Sequence, residues 1–261
     1  MNKKLNVLYF SATDGTAKVV KGVAEGISDY YKEYNITLPN NRHDAVTFDS
    51  NDLVIVGVPV YAGRVPKFLN DYFLNVKGNN TPAVFITVYG NRNYDDALIE
   101  LKDTFESNGF IGVSAGAFIA EHSNTPKVGT NRPDDNDLET AKKFGTDIKN
   151  KLENLKDILQ LPKLIIKGSF PYKERTSAPP IVPDTSDDCI NCGICAKYCP
   201  MGAINFNNFK DIDPAKCVRC CSCIKRCPVN AKSINHEVFN KITKGLIDNF
   251  SILRNEPECF L

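Results

Sequence analysis

The chain has 261 residues, 42% of them hydrophobic, and a formal net charge of +1, which supplies apolar material for a packed core and no bulk charge for a nucleic-acid partner. The apolar run near the N-terminus, Leu5 to Phe10, is too short for a signal-peptide core or a membrane span. Ten cysteines raise the question of disulfides, but eight fall in two regular runs that thiolate ligation explains better than oxidation, which points to a reducing, cytoplasmic setting.

Residues 1–155 alternate apolar runs with amphipathic stretches, the pattern of βαβ units around a parallel sheet. Leu5 to Phe10 reads as a buried strand, and Val19, Val20, Val23, Ile27 and Tyr31 follow at helical spacing. Ile36 to Leu38 is a weak second strand. Leu53 to Val58 is unbroken and apolar, as suits a central strand covered on both faces. Pro66 fits the first turn of a helix whose apolar face is Phe68, Leu69, Tyr72 and Phe73. Ala83 to Val88 is the fourth strand, Leu98, Leu101 and Phe105 mark the next helix, and Phe110 to Ala120 contains the fifth strand. Leu138, Ala141, Phe144, Ile148, Leu152 and Leu155 give the last helix, with acidic residues in its first turn. The expected class is α/β, a doubly wound five-stranded parallel sheet, whose ligands bind beyond the carboxyl ends of the strands.

Residues 156–185 change character, with Pro162, Pro171, Pro179, Pro180 and Pro183 interrupting any regular element. A stretch this long without its own structure is expected to dock. Leu164-Ile165-Ile166 and Phe170-Pro171-Tyr172 supply apolar contacts, and Ala178 to Pro183 reads as a stiff spacer.

Residues 186–236 form the most specific stretch. Cys189-x2-Cys192-x2-Cys195-x3-Cys199-Pro200 recurs 28 positions later as Cys217-x2-Cys220-x2-Cys223-x3-Cys227-Pro228. This run with its terminal proline is the bacterial iron–sulfur signature, in which the fourth cysteine ligates the other cluster. The expected ligands are therefore Cys189, Cys192, Cys195 and Cys227 for one 4Fe-4S cluster, and Cys217, Cys220, Cys223 and Cys199 for the other. Structural zinc is the alternative, since CxxC pairs also hold tetrahedral metal. Residues 1–150 carry 16 Lys and Arg against 19 Asp and Glu, or −3, and residues 186–235 carry 7 against 4, or +3. Oxidised clusters of about −2 each bring the second segment near neutrality, so no case for nucleic acid arises. Cys221 and Cys259 fall outside the ligand register, the first a packing residue or spare thiol and the second incidental. In the tail, residues 237–261, Val238, Ile242, Leu246, Ile247 and Phe250 predict a helix covering one domain or the seam.

Three loops follow predicted strands. The first, Ser11-Ala12-Thr13-Asp14-Gly15-Thr16, runs into a helix whose free backbone N–H groups favour an anion. It is neither a Walker loop nor a GxGxxG turn, and a plain helix cap is the simpler alternative. The second is Pro59-Val60-Tyr61-Ala62-Gly63-Arg64-Val65-Pro66, and the third, after Thr87, is Tyr89-Gly90-Asn91-Arg92-Asn93-Tyr94. Together they resemble the flavin-binding loops of flavodoxins, whose phosphate loop usually reads Ser/Thr-x-Thr-Gly-x-Thr; here Asp14 stands where glycine is usual, so it either faces solvent or weakens phosphate binding. The resemblance implies FMN, with these loops as its binding residues. Tyr61, Tyr89 and Tyr94 are candidates for stacking on the ring, and Arg64 and Arg92 for positive charge at its N1 edge. Each also reads as an ordinary loop residue. His122 is a candidate donor to the cofactor or an incidental loop histidine.

As a whole the chain resembles the flavodoxin–ferredoxin fusion proteins of anaerobic microbes: a flavodoxin-like sheet followed by a small α+β two-cluster ferredoxin domain. That implies an electron-transfer protein working between FMN, two 4Fe-4S clusters and redox partner proteins such as a ferredoxin, a flavodoxin or an oxidoreductase. A flavin-dependent reductase of a small molecule and a zinc-bearing scaffold are the other readings. The first two differ in whether the ring is covered or open. The electron carrier further requires one cysteine set to lie near the Tyr61, Asn91 and Tyr94 loops.

Overall fold

The apolar runs of the N-terminal half assemble into one sheet because each is buried on both sides. The computed structural model describes residues 3–175 and 179–261. In chain order its first strands are β1 (Lys4–Tyr9), β2 (Lys32–Asn35), β3 (Val46–Phe48), β4 (Asp52–Pro59), β5 (Val76–Gly78), β6 (Thr81–Tyr89) and β7 (Phe110–Ile119). The helices between them are α1 (Gly15–Ile27), α2 (Asn70–Phe73), α3 (Ala97–Glu106) and, after β7, α4 (Asp135–Glu153). β3 pairs in parallel with β5 as a small side sheet. The others lie in the order β7-β6-β4-β1-β2, all parallel. Counting only those main strands, the order is 2-1-3-4-5, the flavodoxin-like topology.

Alternate side chains face opposite layers. Leu8, Val54, Val56 and Phe85 pack with Leu98, Leu101 and Phe105 of α3, and Val7, Leu53, Ile55 and Val84 pack with Val20 of α1 and Phe144 of α4. α1 and α4 approach closely at two glycines: a Cβ on Gly26 would meet the Lys142 carbonyl oxygen at 2.0 Å, and one on Gly145 the Val23 carbonyl oxygen at 2.0 Å.

Two expected elements shift. The second strand is Lys32–Asn35 rather than Ile36 to Leu38. It is an edge strand with solvent beside it, so it carries no apolar alternation, and Ile36 enters the core just past its end. The helix after Pro66 is one 3₁₀ turn, Lys67–Leu69, followed by the single turn of α2.

The docked segment is held more by polar groups than by apolar ones. The Ser169 and Lys173 amides donate to Asp96 at 2.9 and 2.6 Å, and the Tyr172 hydroxyl donates to Asp103 at 2.8 Å. Leu164 is buried, but Ile165 and Phe170 are exposed. Ala178, the first residue of the expected spacer, lies outside the described residues.

Beyond it, β8 (Asp184–Thr185), α5 (Ile194–Lys197), β9 (Ile204–Asn205), β10 (Asn208–Ile212), α6 (Ser222–Lys225) and β11 (Lys232–Ser233) form a small α+β unit. β8 pairs with β11 and β9 with β10, both antiparallel, around a core that includes Ala196, Ala203, Ile204 and Ile212. The tail is not only helical, as expected from its pattern. After α7 (Glu237–Phe250) the chain returns to the first sheet as β12 (Glu258–Phe260), antiparallel to β7 with Cys259 opposite Gly116. Cys259 thus lies within this short strand. Among the described residues, no helix is long and apolar enough to cross a membrane.

Candidate cofactor cavity and cysteine sites

The carboxyl ends of β1, β4, β6 and β7 open into a cavity of about 390 Å³. Ser11, Thr13, Gly15 and Thr16 line it at the first loop, Pro59 to Gly63 at the second, and Tyr89, Gly90 and Arg92 at the third. The second loop is a tight reversal. Tyr61 and Arg64 exchange backbone hydrogen bonds at 2.9 and 3.1 Å across Ala62 and Gly63, both at positive φ (52° and 83°), as a two-residue hairpin turn requires. This places the Tyr61 ring beside Phe68, centroids 6.4 Å apart. Burial raises the Tyr61 phenol well above its ordinary value, and the nearby Cys220 and Cys221 add to the shift.

The other walls come from the two segments expected near these loops, a cysteine run and the tail helix, though the sequence did not say which of their residues would face the cavity. Val218, Arg219 and Cys220 from the second cysteine run form one, and Phe239, Ile242 and Leu246 of α7 another. The spacing of 239, 242 and 246 marks one helical face, which adds Phe239 to the expected Ile242 and Leu246.

Several expected flavin contacts are committed elsewhere. Arg64 pairs with Glu100 through Nε and Nη2 at 2.8 and 2.9 Å, and stacks over Tyr172 at 4.8 Å. Glu100 also accepts from Arg175 at 2.8 Å. Arg64 thus ties the docked segment to α3 and does not line the cavity, which corrects its assignment to the ring edge. Tyr94 packs on Tyr89 at 5.6 Å and donates to Glu258 at 3.0 Å, so it anchors β12 instead of stacking on a ligand. Asn91, fully buried, binds the tail at residues 250–255. Thr87 is buried in β6, below the cavity. Arg92 lines the cavity but is paired with Asp95. Asp14 does not line the cavity: its side chain is 57% exposed, the solvent-facing alternative, and its carboxylate meets Arg226 at 2.7 and 2.8 Å.

His122 lines the cavity, packed against Gly90, where an added Cβ would lie 2.5 Å from its ring. The Asn124 amide donates to its Nδ1 at 3.1 Å, so the neutral ring carries its proton on Nε2. Burial, with Lys225 and Arg92 nearby, lowers its pKa from 6.5 to about 4. Between those values the unfolded chain binds the extra proton, so stability falls as pH drops through that window. His122→Gln is expected to flatten this part of the stability–pH curve, and imidazole NMR shifts should stay those of a neutral ring until pH approaches 4. A midpoint near 6.5 would exclude the buried setting.

The cysteine repeat is also a repeat of backbone shape. Asn191 and Arg219, Gly193 and Cys221, and Gly202 and Asn230 sit at equivalent positions, all with φ between 52° and 75°. Ala203 N–H donates to the Cys199 sulfur at 3.3 Å, and Ala231 N–H to the Cys227 sulfur at 3.2 Å. Cys189, Cys192, Cys195 and Cys227 surround one small void, and Cys199, Cys217, Cys220 and Cys223 another. The fourth cysteine of each run thus stands with the other run. Cys221 also borders the second void. It packs with Ile181, Ile234 and Phe239. No cysteine is in a disulfide. The two sets differ in exposure: Cys192 is open to solvent, while burial pushes the Cys220 and Cys223 thiols up to about 12. Lys225 and Arg226 join this unit to two loops of the first sheet, pairing with Glu121 after β7 at 2.7 Å and with Asp14 before α1. Arg42 donates to the Pro200 carbonyl.

Residues 188–231 match the family described as a 4Fe-4S dicluster domain. No curated protein matches the chain. Among solved structures, a flavodoxin from the domain Archaea is similar at 16% identity over 58% of this chain and 99% of its own, TM-score 0.41. Oxidised flavodoxin 1 from Bacillus cereus is 16% identical over 59% and 99%, TM-score 0.40. The rubredoxin oxygen:oxidoreductase of Desulfovibrio gigas is 17% identical over 58% of this chain and 38% of its own, TM-score 0.41. Strand order and register, not these likenesses, carry the fold.

Proposed function

We propose that this chain, a flavodoxin-like fold joined to a 4Fe-4S dicluster domain, is an electron-transfer protein that holds FMN in the cavity and one cluster within each cysteine set. What supports this is the position of Cys220, which lines the same cavity as Tyr61 and the Ser11–Thr16 loop and packs against the core of the first sheet. When bound, the clusters exchange single electrons and the flavin one or two. We read residues 1–155 and 186–236 as the two cofactor-bearing domains, 156–185 as a docked linker and 237–261 as the segment that closes the cavity.

The residues present suit these groups. Thr16 is 3% exposed and lines the cavity, and its hydroxyl has no partner among the described residues, as a phosphate-binding donor would need. Ser11 and Thr13 flank it. Tyr61 lines the cavity and offers an aromatic ring for stacking. For the metal sites, each void is bordered by three cysteines at i, i+3 and i+6 of one run and by the fourth of the other run, the iron–sulfur arrangement rather than the two CxxC pairs typical of structural zinc. The walls supplied by residues 218–220 and by α7 favour a carrier with a covered flavin over a reductase admitting a small molecule. The solvent-facing Cys192 set is the end that a partner protein reaches.

Anaerobic purification tests this. The protein is expected to be brown, with about eight iron and eight sulfide per chain and FMN released on denaturation. A colourless preparation containing zinc would overturn the reading.

A further inference from the structure

We propose that Arg226, which immediately precedes Cys227, completes the phosphate site of the cavity by cancelling the charge of Asp14, so that the cysteine-bearing segment sets how well the first loop holds a phosphate monoester. This rests on the flavin reading and names a determinant of it outside the flavodoxin-like fold.

Asp14 occupies the N-cap of α1 at φ 67° and makes no side-chain cap. An acid there ordinarily turns inward to accept a backbone N–H of the first turn. Here both carboxylate oxygens accept instead from Arg226 Nη2, at 2.7 and 2.8 Å, and the same nitrogen donates to the Ala12 carbonyl at 3.4 Å. Arg226 is itself held in place: Nε donates to Ser222 Oγ at 3.2 Å, and the guanidinium lies over the Tyr198 ring at 4.8 Å. Ser222 is 1% exposed. The guanidinium is thus anchored by the cysteine unit on one side and by the loop on the other.

The loop also points to a ligand through Thr16, which is nine-tenths buried, lines the cavity and leaves its hydroxyl unpaired. Ser11 is already turned to the loop, its Oγ accepting from the Ala17 amide at 3.0 Å. An unpaired carboxylate between Thr13 and Gly15, which both line the cavity, would repel a phosphate dianion held there, with partial screening by solvent because the Asp14 side chain is 57% exposed. The Arg226 guanidinium, always charged, offsets that repulsion through its one nitrogen Nη2. Phosphate affinity then depends on the cysteine unit being folded against the loop, so the two cofactor sites are coupled through one ion pair.

The test titrates FMN and riboflavin, which lacks the phosphate, into flavin-depleted protein with its clusters intact, following flavin fluorescence. Arg226→Gln is expected to weaken FMN about tenfold or more and riboflavin by no more than about twofold. Adding Asp14→Asn in the same chain should restore FMN affinity. Asp14→Asn alone leaves the cysteine segment untouched and should raise FMN affinity, which keeps the test decisive if Arg226→Gln disturbs cluster absorption. Equal losses for both flavins, no recovery in the double variant, or weaker FMN binding in Asp14→Asn would overturn the proposal. Equal affinity of the unaltered protein for the two flavins would overturn it while leaving the flavin reading intact. Binding of neither flavin would end both.

Discussion

Replacing Cys220 with serine is expected to cut the path between the outer cysteine set and the flavin while leaving both ends in place. Cys220 borders the second void and the cofactor cavity at once, so the cluster proposed there is the one that can hand electrons across. Iron should fall from about eight to about four atoms per chain, FMN should remain bound, and the flavin should no longer be reduced by a one-electron donor that reaches the Cys192 end. Cys221 lines the same void and offers a neighbouring thiol. A Cys217→Ser variant, whose altered ligand is four positions from Cys221, therefore runs in parallel. Rapid anaerobic mixing with a reduced donor protein, read at flavin wavelengths, checks the result. If both variants reduce the flavin as fast as the unaltered chain, electrons enter the flavin directly and the covered cavity is not a relay.

How much of this was legible depends on the range of the physics involved. The ligand register was readable because cluster ligation depends on short spacings within one run, and the exchange of fourth cysteines follows from the duplication; the voids group the thiols in the same way. The loop positions were readable because each follows a strand that periodicity defines. What those loops do with their side chains was not. Arg64 faces an acid 36 positions away, Asp14 a cation 212 positions away, and no local pattern encodes such pairings. Arg64 carries the charge expected at a ring edge and Asp14 one unwelcome beside a phosphate, yet both are paired within the protein. β12 escaped notice because three residues cannot show alternation, and its place was set by the open edge of β7 and by Tyr94 reaching Glu258. The expected closeness of a cysteine set holds at Tyr61 but not at Asn91 and Tyr94, because the tail occupies those two.

Asn91→Ala is expected to loosen that tail more than any other single change in the third loop. The Asn91 amide donates to the carbonyls of Phe250 and Leu253 at 3.3 and 2.6 Å, and its oxygen accepts from the Asn255 amide at 3.1 Å. Asn255 returns a bond to the Asn91 carbonyl at 2.8 Å. Alanine deletes the three side-chain bonds and leaves their partners short of water, a loss of about 2–4 kcal/mol at ordinary net values per bond. It also places a Cβ at φ 57° without the local hydrogen bonding that lets asparagine tolerate this region, adding about 1 kcal/mol. Asn91→Gly loses the same bonds without the backbone cost, so it should fall between the two. Remaining anchors, Arg132 on the Asn255 carbonyl at 2.7 Å and Arg254 on Asp134 at 2.9 Å, hold the tail's far end but not the junction after α7. Loss of that junction frees Phe239, Ile242 and Leu246, the cavity's apolar wall. Thermal unfolding should therefore drop by several degrees, proteolysis should clip the chain after residue 250, and iodide should quench the bound flavin more strongly. Unchanged quenching with a clipped tail would mean that α7 stays on the cavity by its apolar face alone, and that the Asn91 clamp serves the sheet edge instead of the cofactor.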